Sequence, residues 1–185
     1  MFATDCAHPT AVRPRKGTPE QLRYAIIPCP LGLLLMAASE RGLCALLFAD
    51  DEQSLIDELQ ARFPAGELQR DQAGLKDWLD AVLTQLQDPS RRADLPLDLR
   101  GSTFQLSVWQ ALQTIASGRT IRYGELATTL GSHARAVARA CASNPIGLLV
   151  PCHRVVGADQ AVTGYRWGVE RKAALLAAER RNAGA

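Results

Sequence analysis

"YGELATTLGSHARAVARACASNP", Tyr123 to Pro145, decides the architecture of the second half of this chain. Two short helical patterns meet in it at Gly131 and Ser132, giving helix, glycine-containing turn, helix, the sequence form of a helix-turn-helix. The second pattern carries Ala134, Ala136, Val137, Ala138, Ala140 and Ala142, with Arg135 and Arg139 as its long side chains. Small side chains allow close approach to a partner but leave little with which to read base edges. Such a helix suits the degenerate minor groove of DNA and implies little sequence preference. An ordinary packed helical pair fits the same pattern, so charge bears on the choice. The net charge is only +2, yet Glu40–Arg100 holds seven Lys/Arg against thirteen Asp/Glu, whereas Arg119–Lys172 holds eight against three. The footprint of a polyanionic partner is therefore expected in the second half.

Immediately downstream, "LLVPCHRVVG" (Leu148–Gly157) sets Cys152 beside His153, with Pro151 before and Arg154 after. A cysteine attacks as its thiolate, so catalysis needs a nearby base or positive charge. Adjacent side chains generally point apart, so His153 would act through a bridging water or a backbone bend. Pro151 fixes φ and removes a donor, which helps to hold such a bend. Arg154 adds positive potential, and a carboxylate of the last helical pattern, Glu179 or Glu170, is the candidate to orient the imidazole. Three readings of Cys152 stand on these residues alone: nucleophile, metal ligand, or buried core thiol.

Upstream, a helix is expected from Thr103 as N-cap, with Phe104, Val108, Leu112 and Ile115 on one face and Gly118 as its stop. The polar, proline-containing "QDPSRRADLP" before it marks a linker, placed at residues 91–100. Residues 21–90 read as an α/β domain. "LRYAIIP", "GLLLMAAS" and "GLCALLFA" are apolar runs bounded by turn residues, with "SERG" (Ser39–Gly42) the clearest hairpin loop, and predict a three-stranded antiparallel sheet. "DDEQSLIDELQARF" and "LKDWLDAVLTQL" are amphipathic helices that would cover it. Residues 1–20, with Pro9, Pro14 and Pro19, read as a flexible tail, and 101–185 as a second, helical domain ending in "ERKAALLAAERR".

The five cysteines are Cys6, Cys29, Cys44, Cys141 and Cys152. An odd count, with no secretory segment and no apolar run near the ~18 residues of a membrane span, points to a reducing cytoplasmic setting. No CxxC pair exists, and His8, His133 and His153 do not fall at zinc spacings with the cysteines. No metal and no cofactor are expected.

"FQLSVWQAL", "GRTIRYGELATTLG", "RAVARACASNP", "VPCHRVV" and "GYRWGVERKAALLAAE" occur in this order. Together they closely resemble the O6-alkylguanine-DNA alkyltransferases (methylated-DNA-protein-cysteine methyltransferases), above all the C-terminal domain of the bacterial adaptive-response protein. The resemblance runs from about Leu22 to Glu179. It implies a ribonuclease-H-like N-terminal domain, a helical C-terminal domain with the helix-turn-helix, and direct-reversal repair. In such a protein a monomer takes an alkyl group from O6 of guanine in double-stranded DNA onto its own cysteine, once per molecule. By resemblance Cys152 is the acceptor, His153 its water-linked base and Glu179 the group that orients His153. Arg135 fills the space left by the flipped nucleotide, and Tyr123 rotates the phosphate and donates toward guanine N3. Ala134, Ala136, Ala138 and Arg139 share the DNA face. Asn144 braces the turn into the active-site strand, the main chain at Cys152 and Val155 accepts from the guanine amine, and Tyr165, Arg166 and Trp167 close the pocket.

The chain departs from the family in two places. Gly147 stands where certain members carry proline, and Trp167 sets a bulky ring beside Tyr165, so the width of the pocket is open. The cysteine-rich zinc module of the adaptive-response protein has no counterpart here, so no regulator role is expected. The competing readings are a non-catalytic lesion-binding protein, against which the presence of Cys152 argues, and a cysteine hydrolase, for which no oxyanion hole suggests itself.

Overall fold

The computed structural model describes residues 19–183; the expected tail, with Cys6 and His8, falls almost wholly outside them. Three apolar runs form β1 (Glu20–Cys29), β2 (Gly32–Ser39) and β3 (Gly42–Ala49), antiparallel neighbours joined by tight turns. α1 (Glu52–Arg62) starts at Asp51, whose carboxylate accepts from the Ser54 N–H at 2.8 Å. A fourth strand, β4 (Gly66–Arg70), follows and pairs parallel to β1, so the sheet is mixed, in the order β3-β2-β1-β4. "GELQR" carries one large apolar residue and lies largely exposed, which is why hydrophobic patterning passes over it. α2 (Lys76–Gln87) buries Leu79 and Val82.

The expected linker is more ordered than its composition implies. Leu43 N donates to Pro96 O and Asp98 N to Leu43 O, both at 2.8 Å, so residues 96–98 lie along the edge of β3. Asp98 is 6% exposed there and is held by Ser39, Arg41 and Arg100.

α3 (Thr103–Gln113) is capped by Ser102, not Thr103, in a reciprocal capping box with Gln105. It also ends five residues before Gly118: Ile115 O turns aside to accept from Arg154 Nη1 at 2.5 Å, and Gly118 N donates to Glu179. The last turn of the expected helix is thus drawn into the site. Short β5 (Ile121–Arg122) leads into α4 (Tyr123–Thr129) and α5 (Ala134–Ala142), the two helices of the helix-turn-helix. After a single 3-10 turn at Cys152–Arg154, β6 (Val155–Val156) pairs parallel with β5, and α6 (Val169–Ala183) closes the fold. One apolar core joins both halves, running from Leu35 and Leu46 through Leu55 and Val82 to Val108, Trp109 and Ile146. No described helix is long and apolar enough to cross a membrane.

Candidate active site

A cavity of about 300 Å³ lies beside α4 and α5. Tyr123, Ala138, Cys141, Cys152, Tyr165 and Arg166 line it. The segment that delivers Cys152 extends the edge of β3, with Leu46 N donating to Pro145 O and Gly147 N to Leu46 O at 2.9 Å each. It then folds through two three-residue turns. Leu149 N reaches Gly147 O at 2.7 Å around Leu148, whose φ is 65°, and Cys152 N reaches Val150 O at 2.8 Å around Pro151. A leucine in that conformation costs ~1–3 kcal/mol and persists because the buried surroundings fix it. Gly147 is explained by contact: a Cβ there would lie 2.8 Å from the Trp167 ring and 3.0 Å from Phe48. Asn144 braces the segment from behind. Its Nδ2 donates to Val150 O at 2.8 Å and toward the Cys152 sulfur at 3.2 Å, while Oδ1 accepts from Ile146 N at 3.0 Å.

The 3-10 turn points His153 and Arg154 the same way, onto α6. His153 Nε2 lies 2.8 Å from Glu179 Oε1, and both side chains are buried. Arg154 donates to the same carboxylate through Nε at 3.0 and 3.1 Å and Nη2 at 2.8 Å, and Gly118 N adds a bond at 3.1 Å. Burial alone would raise the Glu179 carboxyl, but the hydrogen bonds and charges of His153 and Arg154 outweigh it and hold the group at about 2. A nitrogen facing a carboxylate carries the proton, so Nε2–H donates and the lone pair sits on Nδ1. That nitrogen is buried with no hydrogen-bond partner among the described residues. Burial, ahead of the opposing pull of Glu179, lowers the imidazole pKa and keeps the ring neutral.

Arg154 therefore neutralises Glu179 instead of adding positive potential at the thiol. The cation that acts on Cys152 is Lys172, which reads in the sequence as an ordinary charge on an amphipathic helix. It is fully buried, with Nζ donating to Val155 O at 2.6 Å, Thr163 O at 2.8 Å and Gly164 O at 3.2 Å, and it lies 5.6 Å from the Tyr123 ring centroid. Burial pushes the Cys152 thiol up to about 11, against the opposing effects of Asn144 and Lys172. The resting thiol is protonated at neutral pH. Iodoacetamide labelling of the Cys152 peptide should accordingly be slow at pH 7 and rise with a midpoint near 11, well above the ordinary 9.0, as read by mass spectrometry. A midpoint at or below 9 would contradict this environment.

The remaining expected residues fall in three places. Ala134, Arg135 and Arg139 are exposed on α5, Ala136 and Ala138 are half-buried, and Arg135 makes no ion pair among the described residues. Tyr123, Tyr165 and Arg166 line the cavity. Val155 and Trp167 do not. The Val155 carbonyl accepts from Lys172 Nζ, which uses one of its two lone pairs. The Trp167 ring turns away to pack edge-on against Phe48, with centroids 5.9 Å apart, and so stiffens the wall from behind. Cys141 was not expected, and only the fold reveals it: it is the second thiol of the cavity, brought there by the last turn of α5. Among the described residues no three His, Cys, Asp or Glu side chains gather as a metal site requires.

The β3 edge thus carries the segment that leads to buried Cys152, with His153 held on Glu179 of α6 and the helix-turn-helix alongside. The comparisons agree over both halves. Residues 22–99 match the ribonuclease-like domain of the 6-O-methylguanine DNA methyltransferases, and residues 103–181 match their DNA-binding domain. The methylated-DNA–protein-cysteine methyltransferase of Mycolicibacterium paratuberculosis is 41% identical over 163 residues, 87% of this chain and 94% of that protein. The bifunctional transcriptional activator/DNA repair enzyme Ada of Escherichia coli is 47% identical over 87% of this chain and 46% of its own length. The chain spans about half the length of the Ada relatives that it matches, 46% and 49%. The crystal structure of Mycobacterium tuberculosis OGT in complex with DNA superposes with a TM-score of 0.72 at 35% identity, covering 86% of this chain and 94% of that one. The chain belongs to the methylated-DNA–protein-cysteine methyltransferase family.

Proposed function

We propose that this chain repairs O6-alkylguanine in double-stranded DNA by transferring the alkyl group to Cys152, once per molecule. The observation that carries the reading is the continuity of Cys152, cavity and helix-turn-helix, with the His153–Glu179 pair buried behind the thiol. In the reaction the Cys152 sulfur forms a bond to the alkyl carbon as the bond from that carbon to O6 breaks. The thiol proton passes to Nδ1 of His153 through a bridging water, and Tyr123 delivers a proton to N3 of the departing guanine. The His153 imidazolium then returns its proton through solvent to the Tyr123 phenolate, so that, net, the alkyl group moves to sulfur and the thiol proton goes to the guanine. Burial raises the Tyr123 hydroxyl above its usual range, so it is protonated at rest and gives its proton up only as negative charge builds on the departing guanine. The product thioether has no leaving group, and the molecule is consumed.

The reacting atom lies inside a stacked duplex, so the nucleotide has to be extruded. Exposed Arg135 enters the stack from α5, while Ala134, Ala136 and Ala138 allow that helix into the minor groove and Arg139 contacts the backbone. The work divides between a sheet domain and a DNA-binding domain separated at residues 91–100. No second subunit is needed, because one chain supplies every group, and the protein acts as a monomer. An acceptor thiol has to stay reduced, and Cys29, Cys44, Cys141 and Cys152 are all free, which suits a cytoplasmic setting.

The test is stoichiometric. With an oligonucleotide bearing O6-methylguanine in excess, peptide masses should show one methyl equivalent, on the Cys152 peptide, however long the reaction runs; multiple turnovers would sink the one-use mechanism. Arg135→Ala should slow repair in duplex by about a hundredfold, because the few kcal/mol of unstacking go uncompensated. Attack on the free modified base should hardly change. Equal losses on both substrates would refute a role in flipping.

A further inference from the structure

The outer wall of the cavity is the loop Gly164–Gly168, "GYRWG". It is bracketed by two glycines in the left-handed region, with φ of 53° and 98°. Its ends are tied to the first turn of α6. Lys172 holds Thr163 O and Gly164 O, and Arg171 holds Trp167 O at 2.8 Å while also reaching Leu31 O at 2.7 Å. The middle of the loop is tied differently. Arg166 crosses to α1, 108 residues away in sequence, where its Nε donates to Glu58 Oε1 at 2.8 Å, and its Nη1 donates to Ala142 O at 3.1 Å.

Glu58 also anchors the opposite wall. Its Oε1 accepts from Arg62 Nε at 3.2 Å, and Arg62 donates onward to Ser143 O and Asn144 O at 3.4 Å each. Asn144 is the residue whose amide meets the acceptor sulfur. A single carboxylate on the ribonuclease-like half therefore connects the loop that covers the cavity with the turn that positions Cys152.

We propose that Glu58 is a positioning residue that latches Arg166 and thereby sets the width of the acceptor cavity, and with it the size of alkyl group that transfers. The proposal rests on the alkyl-transfer reading above. The Arg166 and Glu58 side chains are 34% and 21% exposed, so the pair contributes little to global stability. Its loss acts on the loop. A slackened wall holds a methyl carbon less well in line with the sulfur and admits larger groups.

The test compares single-turnover transfer from the free bases O6-methylguanine and O6-benzylguanine for the unmodified chain, Glu58→Ala, Arg166→Ala and the double variant. The benzyl-to-methyl rate ratio should rise about tenfold in each single variant, because misplacement of the small group by a fraction of an ångström is costly. The double variant should show no further rise, and the Tm should stay close to that of the unmodified chain. An unchanged ratio, or equal slowing of both substrates with a lowered Tm, would overturn the latch and leave Glu58 as packing only. Ratios that multiply in the double variant would likewise overturn it, since the two residues would then act independently. Absence of transfer from both bases and from methylated duplex by the unmodified chain would instead sink the alkyl-transfer reading itself.

Discussion

Cys152→Ala abolishes alkyl transfer while duplex binding persists: this is the largest effect expected of any single substitution. In the proposed reaction the Cys152 sulfur is the alkyl acceptor, and the His153 ring is held by Glu179. Cys141 shares the cavity and its burial but lacks the Asn144 amide that meets the Cys152 sulfur, and burial raises its thiol further above the ordinary range. The residues proposed to meet DNA lie on α5, where Ala134, Arg135 and Arg139 are exposed and only Ala138 also lines the cavity. Truncating a buried thiol to a methyl group costs only about 1 kcal/mol of fold stability, far less than the loss of a domain. Gel-shift affinity for duplex should thus match the unmodified chain while methyl transfer falls to background. Collapse of binding together with activity would make Cys152 chiefly structural.

The second large effect belongs to Glu179→Gln. The carboxylate accepts from His153, from two nitrogens of Arg154 and from Gly118 N. A glutamine presents an N–H₂ to one of these donors and leaves the Arg154 guanidinium without a counter-charge. Removing one partner of a buried pair costs about 3–5 kcal/mol, or roughly 6–20 °C in Tm for a chain of this size. His153 also loses the acceptor that fixes its tautomer, and transfer by the folded fraction should fall by about 10²–10⁴. The pH dependence gives a sign. A carboxyl held at about 2 against an ordinary 4.5 contributes stability that is complete above 4.5 and is lost as pH falls toward 2. Urea midpoints between those values should decline less steeply in Glu179→Gln. A variant with wild-type stability and rate would show that the buried array is ornamental.

Much of this was legible before any coordinates. Apolar runs as dense as "GLLLMAAS" and "GLCALLFA" leave a buried strand as their simplest reading, and the patterns around Gly131 mark both helices of the DNA-binding motif. Failures came where a residue's role depends on its surroundings. "GELQR" becomes a strand because β1 offers an edge, not because of its own composition. Lys172 looks like solvent-facing charge until three carbonyls and a buried ring are found around its ammonium group. Arg154 belongs beside the thiol by sequence, yet the 3-10 turn swings its guanidinium to Glu179. Trp167 falls in the pocket by adjacency to Tyr165, and the space opened by Gly147 draws it behind the wall.

The last helix carries Lys172 and Glu179, both buried and seven residues apart. Seven residues make nearly two full turns, returning to within about 20° of the same face roughly 10 Å further on. α6 is thus a ruler with two marks, one fixing the Val155, Thr163 and Gly164 carbonyls and the other fixing the imidazole. Adding or removing one residue between the marks would preserve every functional group and the helix itself, yet swing one mark away by about 100°. Length variation in this segment is therefore as damaging as loss of a reacting group, whereas the same change beyond Ala183 moves neither mark.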